Sequence, residues 1–166
     1  MSPTPSQFDG VAGDLRSWRR NANWLKASAD VVFKLWSDEM IRPFDNPTGP
    51  EIVPAEVGFV AMMLAGLALE NLAKALVIRR EGLGAASSGR LPAYLEKHGI
   101  RVYLSRGKFK LSMEDRELVE RLERFVMWAG RYPVPKNVQG YGEVHVGDSD
   151  IQRFRDLYAR LDQALI

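Results

Sequence analysis

The chain contains no cysteine. That absence removes disulfide frameworks, thiolate metal sites and cysteine nucleophiles from consideration. Histidine is scarce as well: His98 and His145 are the only two, so any histidine chemistry passes through one of them. No phosphate-cradling glycine loop, nucleophile elbow, zincin helix or well-spaced helix-turn-helix stands in the sequence. The longest apolar stretch, residues 57–69, has thirteen residues including two glycines, short of the roughly 18–20 that cross a bilayer. It reads as a buried central helix. The opening MSPTPSQFDG has no basic region followed by an apolar run, so it does not read as a secretory signal. The expected location is the cytoplasm, with no membrane contact and no cofactor.

What is present belongs to a globular protein. The 166 residues are 46% hydrophobic and 27% charged, enough for one core that buries about 70% of the unfolded surface. Residues 1–13 read as a flexible lead and 14–166 as a single domain. The net charge of +2 is too small to make the whole chain a polyanion binder. The charge is uneven, however: residues 74–110 hold nine basic side chains against two acidic ones, Glu81 and Glu96.

Apolar periodicity points to an all-α fold of four long helices and one short one, packed as an antiparallel bundle. Leu15, Trp18, Ala22, Leu25, Ala29, Val32 and Trp36 recur at steps of three and four, which marks one buried face of a first helix over about 14–36. Four prolines within residues 41–54 make that stretch a loop. A second helix is expected over 55–80, apolar nearly all round and rich in small residues that let neighbours approach. LPAYLEKHG reads as the short third helix, ending at His98 and Gly99. Residues 101–111 alternate weakly around Gly107, which allows a small hairpin or only an extended loop. Ser112 with Asp115 opens the fourth helix, the third of the long ones, as a capping box, with Leu118, Leu122, Phe125 and Ala129 on its buried stripe; Ser149 with Gln152 opens the last.

Few residues carry chemistry. Glu70, Asn71 and Lys74 interrupt the most apolar helix, and Glu70 stands four residues before Lys74, the spacing of an ion pair. The pair lies on the surface where the helix emerges, or one of these polar groups points inward and needs hydrogen-bonding partners. The basic run, with Arg79, Arg80 and Arg101, suits salt-sensitive phosphate contacts, and Tyr94, Tyr103 and Phe109 interleave with it where unpaired bases could stack. Glu143, His145, Asp148 and Asp150 stand close together before the last helix, where acidic residues belong on dipole grounds; no metal is expected. The four tryptophans, Trp18, Trp24, Trp36 and Trp128, are more aromatic mass than a core of this size needs. One or two of them fit an interface.

Three segments in order, ALENLAKALVIRR (68–80), YLEKHGI (94–100) and LVERLERFVMWAGRYPVP (118–135), resemble the HEPN family of small helical-bundle proteins. The resemblance implies an antiparallel bundle of four to five helices, often a homodimer, often found in defence, toxin-antitoxin or RNA-processing systems. Catalytic members of that family are metal-independent ribonucleases with an arginine followed, after four to six residues, by a histidine. The arginine of that motif falls on Arg131, followed by Tyr132, while the positions of the histidine hold Lys136, Asn137 and Val138. Neither lysine nor asparagine titrates near neutrality in an ordinary setting. The expectation is therefore a non-catalytic or catalytically decayed binding module for RNA or a protein partner, with Glu70, Asn71, Lys74, Arg79, Arg80, Arg101 and Tyr132 as binding residues. The alternatives are a ribonuclease that pairs Arg131 with His98, and a purely structural subunit of a larger assembly.

Overall fold

The computed structural model describes residues 4–41, 54–83, 89–131, 144–147 and 149–166. Among them every regular element is helical and no strand occurs. The order is α1 (Pro5–Gly13), α2 (Leu15–Ile41), α3 (Pro54–Glu81), α4 (Ile100–Arg106), α5 (Met113–Arg124) continued by a π turn (Phe125–Ala129), and α6 (Asp150–Gln163).

α3 is the axis of the structure. Met62, Ala65, Leu69, Leu72, Ala73 and Val77 are fully buried, so it is wetted on almost no side and its hydrophobic positions need no stripe. By length and composition the segment Val57–Glu81 would suffice to cross a membrane, and 78% of its most apolar window is buried inside the protein. α2 runs antiparallel to α3: the Asn21 and Asn71 amides meet near one end and Trp36 lies against Gly58 near the other. α5 also runs antiparallel to α3, and Gly66 lets it approach, because a Cβ there would stand 2.6 Å from Val126 Cγ2 and 3.1 Å from the Leu122 carbonyl. α6 closes the core against α2, with Phe154 and Phe33 ring centroids 6.4 Å apart and Arg19 donating to the Asp162 carboxylate through both Nε and Nη2.

Local chemistry sets the helix starts. Ser112 and Asp115 form the expected capping box of α5, each side chain accepting from the other's backbone N–H at 3.1 and 2.9 Å. The second box does not form. Ser149 makes no capping bond; instead the Asp150 carboxylate accepts from the Gly147 N–H at 3.0 Å and binds Arg121 on α5. Gln152 turns to Asp156.

Three further readings differ in the structure. LPAYLEKHG is a run of turns, and the helix begins after it, at Ile100. So short a segment cannot nucleate a helix unaided, and the Tyr94 and Lys97 carbonyls are taken by the Tyr103 hydroxyl, 2.6 Å from each. Residues 101–106 form α4, where the alternation allowed a small hairpin or an extended loop, because Ile100, Tyr103 and Leu104 fall on one helical face and all three are buried. The stretch expected as a flexible lead holds α1. Its signals are the Thr4–Gln7 capping box with Pro5 in the first turn, and the Trp18 indole N–H ties it down by donating to the Ala12 carbonyl at 2.7 Å.

Candidate functional site: the Lys74–Glu70–His98 cluster

Glu70 and Lys74 do not lie on the surface. They are only 3% and 8% exposed and form an ion pair of 2.7 Å in the middle of α3. A charge so placed is stable only when its remaining valences are satisfied, and both partners meet that condition. The Lys74 ammonium also stands 5.2 Å from the Tyr103 ring centroid, over a π face that attracts cations. The two Glu70 oxygens lie 3.2 and 3.1 Å from His98 Nδ1.

That contact defines the histidine. A carboxylate accepts only, so Nδ1 carries the proton and, in the neutral ring, Nε2 is left with the lone pair. The His98 side chain is 41% exposed, so the ring bridges a buried anion and the outside. The turn that carries it is held by Tyr103, whose hydroxyl gathers the Tyr94 and Lys97 carbonyls. Burial, and secondarily the Glu70 charge, push the Tyr103 phenol up to about 12 against a smaller opposing pull from Arg106. It therefore remains a donor throughout the physiological range.

His98 opens on a cleft of about 730 Å³ between α4 and the α5–π-turn segment, with Glu70 at its base. Arg101 and Arg106 line one wall. Arg101 is fixed by Glu123, which accepts from its Nε and its backbone N–H at 2.8 Å each, and Arg106 by Glu81 and by stacking 3.8 Å over Tyr94. The α5–π-turn wall carries Glu123 beside an apolar patch, in which Val126 lies deep and Met127 forms a lip that is 49% exposed; Val102 of α4, 67% exposed, is the apolar lip opposite. The π turn shapes that wall: its single wide turn, closed by the Gly130 N–H to the Phe125 carbonyl at 3.1 Å, buries Val126 beside Phe125 and turns Met127 outward. Chemically the cleft offers guanidinium groups for an anion, a nitrogen lone pair for a proton and an apolar surface beside both.

The remaining residues singled out in the sequence disperse. Asn71 faces away from the cleft, donating to the Leu67 carbonyl at 2.8 Å and accepting from Asn21 at 3.0 Å, so it is a structural lock between α2 and α3. Arg79 and Arg80 stand at the far end of α3, where Arg79 donates to the Ala164 carbonyl. Arg131 caps its own helix by donating to the Met127 carbonyl at 3.2 Å, one turn beyond the cleft lip. Tyr132 lies outside the described residues, as do Glu143 and Asp148; among the described residues no group of acidic and histidine side chains could hold a metal ion. Sequence reasoning missed Tyr103 as the clamp of the His98 turn. Its signal was the spacing Ile100, Tyr103, Leu104, read as alternation instead of helix.

No family model, no curated protein and no solved structure matches this chain.

Proposed function

We propose that the chain is a HEPN-like antiparallel helical bundle that binds RNA in the cleft above Glu70. The observation that carries this reading is the buried Lys74–Glu70 pair that holds His98 at the mouth of a cleft walled by Arg101 and Arg106. A bundle built only for stability has no use for two ions in its central helix, since apolar residues of similar volume would serve as well or better. The segment that forms the cationic wall also carries Lys97, Lys108 and Lys110, all exposed and without an ion pair among the described residues. Phosphates running along that segment would meet them, and the apolar lips give unpaired bases a surface.

Fluorescence anisotropy with labelled RNA across a salt series tests the proposal. Binding should weaken linearly in log salt, and the slope should fall by about 0.7 for each phosphate contact removed as Lys97, Lys108 and Lys110 are changed to Gln. No binding at low salt sinks the reading.

The Glu70–His98 contact favours a second reading of the same site, metal-independent cleavage of RNA. His98 Nε2 would take the proton of a 2′-hydroxyl, the freed oxygen would attack the adjacent phosphorus, and the 5′-oxygen would leave. In that case RNA is cut in the presence of a chelator, and His98→Ala and Glu70→Gln each abolish the cut. Cleavage that survives both changes removes this reading and leaves binding intact.

A further inference from the structure

His98 is mounted on a stretch with little structure of its own. Residues 89–99 form turns but neither helix nor strand, and among the described residues the one backbone hydrogen bond inside the stretch runs from the Leu95 N–H to the Pro92 carbonyl at 2.7 Å. A segment so poor in internal bonds stays where side chains from other elements hold it. Tyr103 gathers its second half through the Tyr94 and Lys97 carbonyls, Glu70 takes His98 itself, and Leu95, fully buried, plugs into the core. Its first half is held from α1. The Asp9 carboxylate accepts from the Gly89 N–H at 3.1 Å, and Pro5 lies so close that a Cβ on Gly89 would stand 3.2 Å from the Pro5 Cβ. Gly89 has φ +79°, a left-handed conformation that glycine adopts without steric cost. Leu91 then shares an apolar hollow with Phe8 of α1 and Trp18 of α2.

We propose that α1 is a strap that positions the His98 stretch, with Asp9 as its positioning residue. The make-up of α1 suits that task better than a share in the core. Ala12 is its only buried residue, and nine residues are too few for a helix to stand unaided in water. It is fastened instead by directed bonds: its own Thr4–Gln7 capping box, the Trp18 indole on the Ala12 carbonyl, and Asp9 on Gly89. The last of these is the one that reaches the stretch ending at His98. Once Asp9 releases Gly89, the stretch is fixed only from its second half and Leu91 loses the cover of α1, so the play passes to the turn that carries the imidazole. Asp9 is no part of the cleft lining and acts on the cleft only through that turn.

Three variants test the strap. Asp9→Ala removes the acceptor, Asp9→Asn keeps an oxygen in its place, and Gly89→Ala breaks the latch from the other side, because its methyl meets Pro5 and strains the left-handed backbone. Circular dichroism checks that each remains folded. Amide hydrogen exchange over residues 95–99 should quicken about fivefold or more in Asp9→Ala and in Gly89→Ala, and the His98 imidazole signals should shift or broaden while those of His145 stay in place. Asp9→Asn should return both readouts to within about twofold of the parent, and the double variant Asp9→Ala, Gly89→Ala should exceed neither single one by more than about twofold, since both open the same latch. With the cleft as an RNA site, the reading on which this step rests, Asp9→Ala should bind labelled RNA at least threefold more weakly than Asp9→Asn, which loses the same charge, with the salt slope unchanged because no phosphate contact is removed. If the parent binds no RNA, the cleft reading falls, and exchange and imidazole signals alone judge the strap. Exchange and His98 signals that Asp9→Ala leaves as in the parent overturn it. So does an Asp9→Asn variant that behaves like Asp9→Ala, or RNA binding equal in the two.

Discussion

Replacing Glu70 with Ala should be among the most damaging single substitutions in the protein, and replacing Glu70 and Lys74 together with Leu and Met should repair most of the damage. Both ions are buried to more than nine-tenths, and their 2.7 Å contact is the main neutraliser of each. Removing one side leaves an ammonium in the core, which costs about 3–5 kcal/mol. The Tyr103 ring, 5.2 Å from that ammonium, offsets up to about 2 kcal/mol of this as a cation–π contact, so the net loss falls near 3 kcal/mol. Loss of the His98 contact adds little, since that ring is 41% exposed and exposed pairs contribute at most about 1 kcal/mol. In a chain of this size each kcal/mol moves the melting temperature by about 2–4 °C, so Glu70→Ala should melt roughly 6–12 °C below the parent. The double Leu, Met variant removes both charges and fills the space, and such replacements are neutral or stabilising in comparable cores. Urea unfolding of the parent, Glu70→Ala, Glu70→Leu, Lys74→Met and the Leu, Met double variant, monitored by far-ultraviolet circular dichroism, gives the loss and the cycle. If Glu70→Ala loses less than about 1 kcal/mol, the pair is not buried as described. If the double variant is as unstable as the sum of the singles, the cost lies in shape and not in charge.

Tyr103→Phe removes one hydroxyl that gathers two carbonyls; it should cost about 1–3 kcal/mol in urea unfolding and alter the His98 imidazole shifts in NMR spectra more than those of His145. Ser112→Ala deletes the α5 cap and should cost about 1 kcal/mol, visible as a lower urea midpoint with an unchanged slope. Burial works against ionisation of Asp115, yet the Arg160 guanidinium and the Ser112 backbone and side-chain bonds together hold its carboxyl below the usual carboxylate range. A depressed carboxylate stabilises the fold fully above its unfolded value and loses that contribution as pH falls through the folded one; the urea midpoint should therefore drop below about pH 4, and Asp115→Asn should flatten the drop. Gly66→Ala gains about 1 kcal/mol of helix propensity but sets a methyl 2.6 Å from Val126 Cγ2, so α5 must shift and thermal melts should show a net loss; a raised melting temperature would mean that α5 is not held at that distance.

Much of this protein was legible before any tertiary structure. Periodicity marked α2, α5 and α6, because a helix that buries one face must repeat every three to four residues whatever it packs against, while α3 was marked by its unbroken apolar run. The Ser112–Asp115 cap was legible for a similar reason: a capping box is a bond between residues three apart. The polar interruption of α3 at Glu70, Asn71 and Lys74 was also visible, as was the charge at Arg101. Their roles were not. The sequence places Glu70 and Asn71 side by side, yet a 100° turn of the helix sends one to His98 and the cleft and the other to Asn21. His98 is 28 residues from Glu70, and no local rule brings a turn after α3 back onto its middle. The fold does so by burying Tyr103, whose hydroxyl gathers the turn. The same limit explains α4: seven residues carry too little periodicity to separate helix from hairpin, and the burial of Ile100, Tyr103 and Leu104 against α3 decides between them. Local interactions, which depend on spacing along the chain, were set by the sequence. Which charges are buried, which histidine nitrogen holds the proton and where a cleft opens depend on partners far apart in the chain, and those only the packed structure decided.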